Sequence, residues 1–255
     1  MIENKQNAPH RFSRTELLVG RAGVERLANS HVAVFGLGGV GGYAVEALVR
    51  AGIGHLTLID FDTLCVTNLN RQLHALDETV GQPKVEVVGQ RCCSINPEVV
   101  LTLHRQRYSV ETADVLLAEN YDYVLDCIDT ISDKIDLIQQ CHRRRLRVVS
   151  SMGAANKLDP TQVKLADLFQ THKCRLARIM RKELRRRGID SGVPVVYSTE
   201  EYRPLQGSGA GQPRVSGGDW QRVPLGSLST IPSMFGIMLA GLVVQQILEG
   251  TENGE

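Results

Sequence analysis

The sequence predicts an α/β fold: a doubly wound, mainly parallel sheet with a Rossmann-like nucleotide-binding half, continued by a mixed sheet and C-terminal helices. Three observations carry this. Short apolar runs alternate with segments of helical periodicity, a glycine-rich turn joins the first run to the first such segment, and polar residues gather just past the ends of the apolar runs.

In order, the expected strands are Val32–Phe35, Leu56–Asp60, Val99–His104, Tyr123–Cys127, Arg147–Ser151, Gln162–Ala166 and Val193–Ser198. Helices are expected over 40–51, 84–94, 111–119, 132–145 and 233–248, where apolar residues recur at three- and four-residue spacing. Residues 1–10 read as a flexible tail and 11–250 as one domain. Its nucleotide-binding half covers 11–155 and its substrate half 156–250, with a mobile loop at 204–224 rich in Gly, Ser and Pro.

A chain of 255 residues suffices for a full core, and a net charge of +1 gives no global field toward nucleic acid. The amino end lacks the apolar core of a secretory signal, and the apolar run Met234–Val244 falls short of the roughly 20 residues that cross a bilayer, so no membrane span is expected. Six cysteines without any C-x-x-C pair argue against zinc and suit reduced thiols in the cytoplasm.

The stretch "VAVFGLGGVGGYAVEAL" places glycines at 36, 38 and 41, with Gly39 between, in the G-x-G-x-x-G pattern. Gly36 permits the turn, Gly38 clears space for an anion to meet backbone amides, and Gly41 lets helix and strand pack. The residues beyond this turn are unlike those of a dinucleotide site. Asp60 suits a ribose, but a dehydrogenase has no use for Asn68, Asn70, Arg71, Lys84 and Asp129 at neighbouring strand ends. A triphosphate does. Cleavage between its α and β phosphates builds charge on departing pyrophosphate, which Arg71 and Lys84 are placed to meet, while Asp129 is a carboxylate for a divalent metal.

The run "GLGGVGGYAVEALVRAGIGHLTLIDFDTLCVTNLNRQ", with "VGQPKVEV", "INPEV" and "LDCIDT", resembles the adenylating enzymes related to ubiquitin activators, which include the activators of molybdopterin and thiamine sulfur carriers. Further on, "MGAANKLDPTQVKLADL" and "VVYSTE" resemble one branch, the tRNA threonylcarbamoyladenosine dehydratases. The resemblance implies a nucleotide set of Gly36, Gly38, Gly39, Gly41, Asp60, Asp62, Asn68, Arg71 and Lys84, and catalytic roles for Arg14, Arg71, Lys84 and Asp129. Asp129 binds Mg2+, and Arg14, in "RFSR", reaches the phosphates of a neighbouring subunit. It further implies ATP, a homodimer and a tRNA carrying threonylcarbamoyladenosine. It leaves room for a monovalent cation, Na+ or K+, and for a cysteine desulfurase or sulfur acceptor. The activity implied is ATP-dependent cyclisation of the modified adenosine beside the anticodon, through an acyl adenylate of the threonyl carboxylate. A ureido nitrogen of the same substituent closes the ring, so no protein thiol has to carry the acyl group.

The segment "THKCRLARIMRKELRRRG" is locally basic. As a helix it sets Leu176, Ile179, Met180 and Leu184 on one side and turns Arg175, Arg178, Arg181, Lys182, Arg185 and Arg186 to solvent, a surface for tRNA phosphates; "HRRRLR" at 142–147 reads equally as an extension of that patch or as the basic end of a helix. The alternatives there are a solvated helix and an anionic membrane surface. For the whole chain they are an activator of a ubiquitin-like sulfur carrier and a non-catalytic tRNA-binding or redox-linked module. The cysteines read as small core residues, with Cys174, among cations, as the one that a lowered pKa would make reactive.

Overall fold

The structure is a computed structural model describing residues 9–206 and 225–250. Residues 1–8 of the expected tail and 207–224 of the expected loop lie outside the described residues. The helices are α1 (Ser13–Ala28), α2 (Gly41–Ala51), α3 (Lys84–Ile95), α4 (Ala113–Leu116), α5 (Ile131–Arg144), α6 (Arg175–Arg186) and α7 (Thr230–Glu249). The strands are β1 (His31–Phe35), β2 (His55–Ile59), β3 (Val100–His104), β4 (Tyr123–Asp126), β5 (Val148–Ser151), β6 (Val163–Asp167) and β7 (Pro194–Ser198).

These strands form one sheet in the order β3-β2-β1-β4-β5-β7-β6, with every pair parallel except β6–β7. The chain leaves β1 toward β2 and returns on its other side to β4, so the strand order reverses between β1 and β4. A crevice opens there, at the carboxyl ends of the strands.

Both faces of the sheet are covered. On β1, Val32 and Val34 join a core with Leu48 of α2, Val88 of α3 and Phe235 of α7, whereas Ala33 and Phe35 face Ile138 of α5 and Met180 of α6. The five inner strands, buried on both faces, read as continuous apolar runs, and with the more exposed edge strands β3 and β6 all seven were legible to within a residue at each end.

Two helices depart from expectation. The sequence pattern gave no helix at α1, because Leu17 and Leu18 point outward at 81% and 85% exposure and the helix kinks at Gly20 (φ 72°, ψ 169°), which breaks any single apolar stripe. The segment expected at 111–119 is a single turn, Ala113–Leu116: Ala113, Leu116 and Leu117 are buried at helical spacing, but Leu117 leaves the helical region (φ −115°, ψ 20°) and ends it.

Helix α7 also corrects an argument from length. It runs for 20 residues, long and apolar enough to cross a membrane by length and composition alone. Its packing says more: Ile231, Phe235, Leu239, Ala240 and Val243 are buried, and Gly236 comes so close to α2 that a Cβ there would sit 2.3 Å from the Val40 carbonyl oxygen. One face of α7 is core.

Asn156, at φ 59°, holds together the chain on either side of residues 207–224. Its backbone pairs with Gly226 O (2.8 Å) and Arg203 N (3.0 Å), and its side chain bonds Gly226 N (2.8 Å) and Arg203 O (2.9 Å). The clamp brings Leu225 and Ser227 to the crevice, where Ser227 O accepts from Asn70 Nδ2 at 2.8 Å.

Candidate nucleotide-binding active site

The crevice holds a cleft of about 440 Å³ lined by Gly36, Gly38, Gly39, Asp60, Asp62, Asn68, Arg71, Lys84 and Asp129. These residues come from the ends of three strands, β1, β2 and β4, and the connections beyond them. A larger and more open groove, about 1030 Å³, lies at the amino ends of β4, β5 and β7, near Tyr123, Arg145 and Arg147. Chemistry decides between them, because the smaller cleft holds convergent charges at the topological switch point.

The glycine turn has a steric cause. Gly36 sits at φ 88°, and a Cβ there would lie 2.8 Å from the Cys127 carbonyl oxygen. Gly41 lies outside the cleft lining: a Cβ would stand 1.8 Å from Gly36 O, so its work is to let α2 pack on the turn. Helix α2 has no side-chain N-cap, and Gly39 and Val40, which lead into it, line the cleft, so the positive end of its dipole lies beside the cleft.

Asp60 directly follows β2 and has both carboxylate oxygens engaged, accepting from Leu37 N (2.6 Å) and Asp62 N (2.9 Å). Burial pushes its pKa up, against the opposing charge of Lys84. Lys84 opens α3 directly after Pro83, is 5% exposed, and pairs with Asp62 at 2.8 Å. Arg71 donates to Thr67 O (2.8 Å) and Asn70 Oδ1 (3.0 Å), and Asn68 Oδ1 accepts from Cys65 N (3.1 Å), tying the segment between β2 and α3 into a fixed turn. Asp129 is exposed and meets the Thr130 hydroxyl at 3.5 Å. As a hard oxygen donor facing solvent, it fits Mg2+, which keeps most of its own waters.

Arg14 does not line this cleft. It lies exposed on α1, so within one chain it is apart from the other predicted residues. The structure also adds residues the sequence reading missed. Arg107 and Asp133, paired at 2.8 Å, line the cleft with Gln72 and Tyr108. Arg107 follows β3, so the strand-end rule that found Arg71 was available for it too. Gln72 is buried with Oε1 unpartnered, and behind the glycine turn His74 is buried with neither ring nitrogen bonded among the described residues. Burial lowers the His74 pKa to about 4.

The basic helix forms as α6, but with a different inner face: Ala177, Met180 and Leu184 are buried while Ile179 is 41% exposed. Several of its cations are engaged. Arg175 lies over the Tyr202 ring (4.5 Å) and Arg185 over Phe169 (5.3 Å), Arg181 bonds the Thr171 hydroxyl, and Arg186 pairs with Glu183 (2.8 Å). Arg178 and Lys182 are exposed. Cys174 caps α6 through Sγ and is buried, as are Cys92 and Cys141, whereas Cys65 and Cys93 are exposed.

The ThiF family model matches residues 12–254. The chain belongs to the ThiF family. Within that family, it is 42% identical to a tRNA threonylcarbamoyladenosine dehydratase of Bacillus subtilis over 250 residues, covering 95% of this chain and 96% of the relative. A molybdopterin-synthase adenylyltransferase of Escherichia coli is 39% identical but over only 62% of this chain and 64% of its own. A solved structure of the E. coli tRNA N6-threonylcarbamoyladenosine dehydratase TcdA in complex with ATP superposes with a TM-score of 0.85 at 33% identity, covering 96% of each chain. The adenylyltransferase therefore shares a part of the chain, and these two dehydratases share nearly all of it.

Proposed function

We propose that this chain is an ATP-dependent tRNA threonylcarbamoyladenosine dehydratase, which adenylates the threonyl carboxylate and lets the same substituent close into a ring. The single observation that carries the reading is near full-length likeness to a dehydratase, and the charges of the cleft suit the nucleoside triphosphate that it requires. The glycine turn and the start of α2 receive phosphates, Asp60 takes the ribose, and Arg71 and Lys84 meet the charge that grows on departing pyrophosphate. Mg2+, held by Asp129, supplies charge neutralisation at the phosphates.

Ring closure proceeds without a protein nucleophile. The ureido nitrogen attacks the acyl carbon, loses its proton, and AMP leaves with the carboxyl oxygen, so that the net change in the nucleoside is loss of water. Nucleophile and electrophile share one substituent, where effective molarities reach about 10⁵ M or more, and the enzyme has only to activate and position.

Arg14 acts in this reading from a second copy of the chain, since α1 carries it away from its own cleft while presenting exposed Leu17 and Leu18 beside it. A homodimer is the consequence. The cations of α6, with Arg178 and Lys182 the least engaged, receive tRNA phosphates. ATP–pyrophosphate exchange tests the reading. Exchange driven by tRNA bearing threonylcarbamoyladenosine supports it, and exchange driven only by a small carrier protein replaces it with the sulfur-carrier reading.

A further inference from the structure

Beneath Asp129 lies a charged cluster that the reaction as described does not use. Lys134, on the first turn of α5, is 1% exposed, and Asp126, ending β4, and Ser150, on β5, are fully buried. Lys134 Nζ donates to Asp126 Oδ2 (2.7 Å), Ser150 Oγ (3.2 Å) and Asp126 O (3.3 Å), which accounts for all three of its protons. The Ser150 hydroxyl donates to Asp126 Oδ2 at 2.7 Å, and Asp126 Oδ1 accepts from Ile128 N at 3.2 Å.

Taking both charges out of water is costly, and apolar residues of the same size fill such a space without that cost. What the cluster adds is direction. It brackets residues 127–130, the connection that carries Asp129. At its start Ile128 N is held by the Asp126 carboxylate and Cys127 N by Phe35 O (2.8 Å). At its end Lys134 N bonds Thr130 O (3.0 Å) while Lys134 Nζ returns to the residue before the connection. Asp129 has almost no side-chain contact of its own, so its place is set by this backbone.

We infer that Lys134, Asp126 and Ser150 are positioning residues that fix Asp129 for the magnesium ion accompanying ATP. The inference rests on the reading of Asp129 as the magnesium residue. Partners behind a metal ligand typically change metal affinity by 10–100-fold when removed, without touching the ion.

The test compares Lys134→Met, Ser150→Ala, the double variant Asp126→Leu/Lys134→Met, and Asp129→Asn. The readouts are the thermal midpoint and the equilibrium dissociation constant of ATP, titrated with and without Mg2+. In Lys134→Met the Mg2+ concentration that half-restores tight ATP binding rises roughly 10–100-fold, while metal-free ATP affinity stays within about twofold. The double variant recovers the midpoint, having no stranded charge, but not the magnesium response. Ser150→Ala shifts the response in the same direction and carries the test if Lys134→Met does not fold. A double variant that recovers both midpoint and magnesium response makes the cluster structural only and overturns the inference. If Asp129→Asn shifts the magnesium response and the cluster variants do not, positioning fails alone. If Asp129→Asn leaves the response unchanged, the reading of Asp129 has failed and the inference falls with it.

Discussion

Replacing Lys84 by Met separates stability from catalysis, because the ammonium is buried while its partner is not. Lys84 is 5% exposed, but the Asp62 side chain that it meets at 2.8 Å is 46% exposed and stays hydrated when the pair is broken. Losing such a pair costs on the order of 1 kcal/mol or less, and the methionine stem fills the same channel. Turnover responds differently. A donor aimed at charge that develops in the transition state contributes about 10²–10³-fold, or roughly 3–4 kcal/mol. Lys84→Met is therefore expected to unfold in urea close to the parent while forming AMP from ATP and modified tRNA at least about 100-fold more slowly. Lys84 also holds the Asp60 pKa down against burial, so the acidic limb of ATP binding moves to higher pH in the variant. A folded variant with turnover within threefold of the parent refutes the placement of Lys84 at the phosphates.

Mixing Arg14→Ala subunits with Lys84→Met subunits restores one complete site per mixed dimer if Arg14 acts across the dimer, measured as AMP formation after verified subunit exchange; no recovery means action in cis. Removing charge at Arg178, Arg181 and Arg185 lowers the slope of log affinity for tRNA against log salt by about 0.7–0.9 per lost phosphate contact, with ATP affinity unchanged; an unaltered slope places the RNA elsewhere. Cys174→Ser leaves cyclisation intact, read by nucleoside mass, whereas a folded variant that adenylates but does not cyclise assigns the acyl group to a thiol. His74 titrates near 6.5 unfolded and at about 4 folded, so its burial favours the folded state fully above the unfolded value, and this contribution is lost as pH falls toward 4. Between pH 7 and pH 5 this amounts to about 2 kcal/mol, and urea unfolding of His74→Leu should lack that part of the acid dependence.

Each sequence signal was legible to the extent that it is local. The parallel strands are continuous apolar runs bounded by turns, and the glycine turn, Lys84 after Pro83 and the charges at strand ends are local patterns, so the cleft could be drawn from sequence. Helix α1 could not, because its exposed leucines and Gly20 kink erase periodicity. The face of α6 was shifted because Ala177, rather than Ile179, meets the core, a choice made by the partner helix and not by apolarity. The Lys134–Asp126–Ser150 cluster was hidden for a related reason: its members come from a strand end, a helix and a neighbouring strand, and a lysine in a first helical turn reads as surface charge until the fold buries it. Gly41 shows the reverse case, a motif residue whose place is in packing rather than in the cleft.

The most direct measurement of the central claim is the mass of the modified nucleoside after tRNA bearing threonylcarbamoyladenosine is incubated with the protein, ATP and Mg2+, alongside a count of AMP and pyrophosphate. The account predicts loss of one water from that nucleoside, with one AMP and one pyrophosphate per ring closed and no change without ATP. Unchanged nucleoside, or ATP consumed to ADP and phosphate, contradicts it.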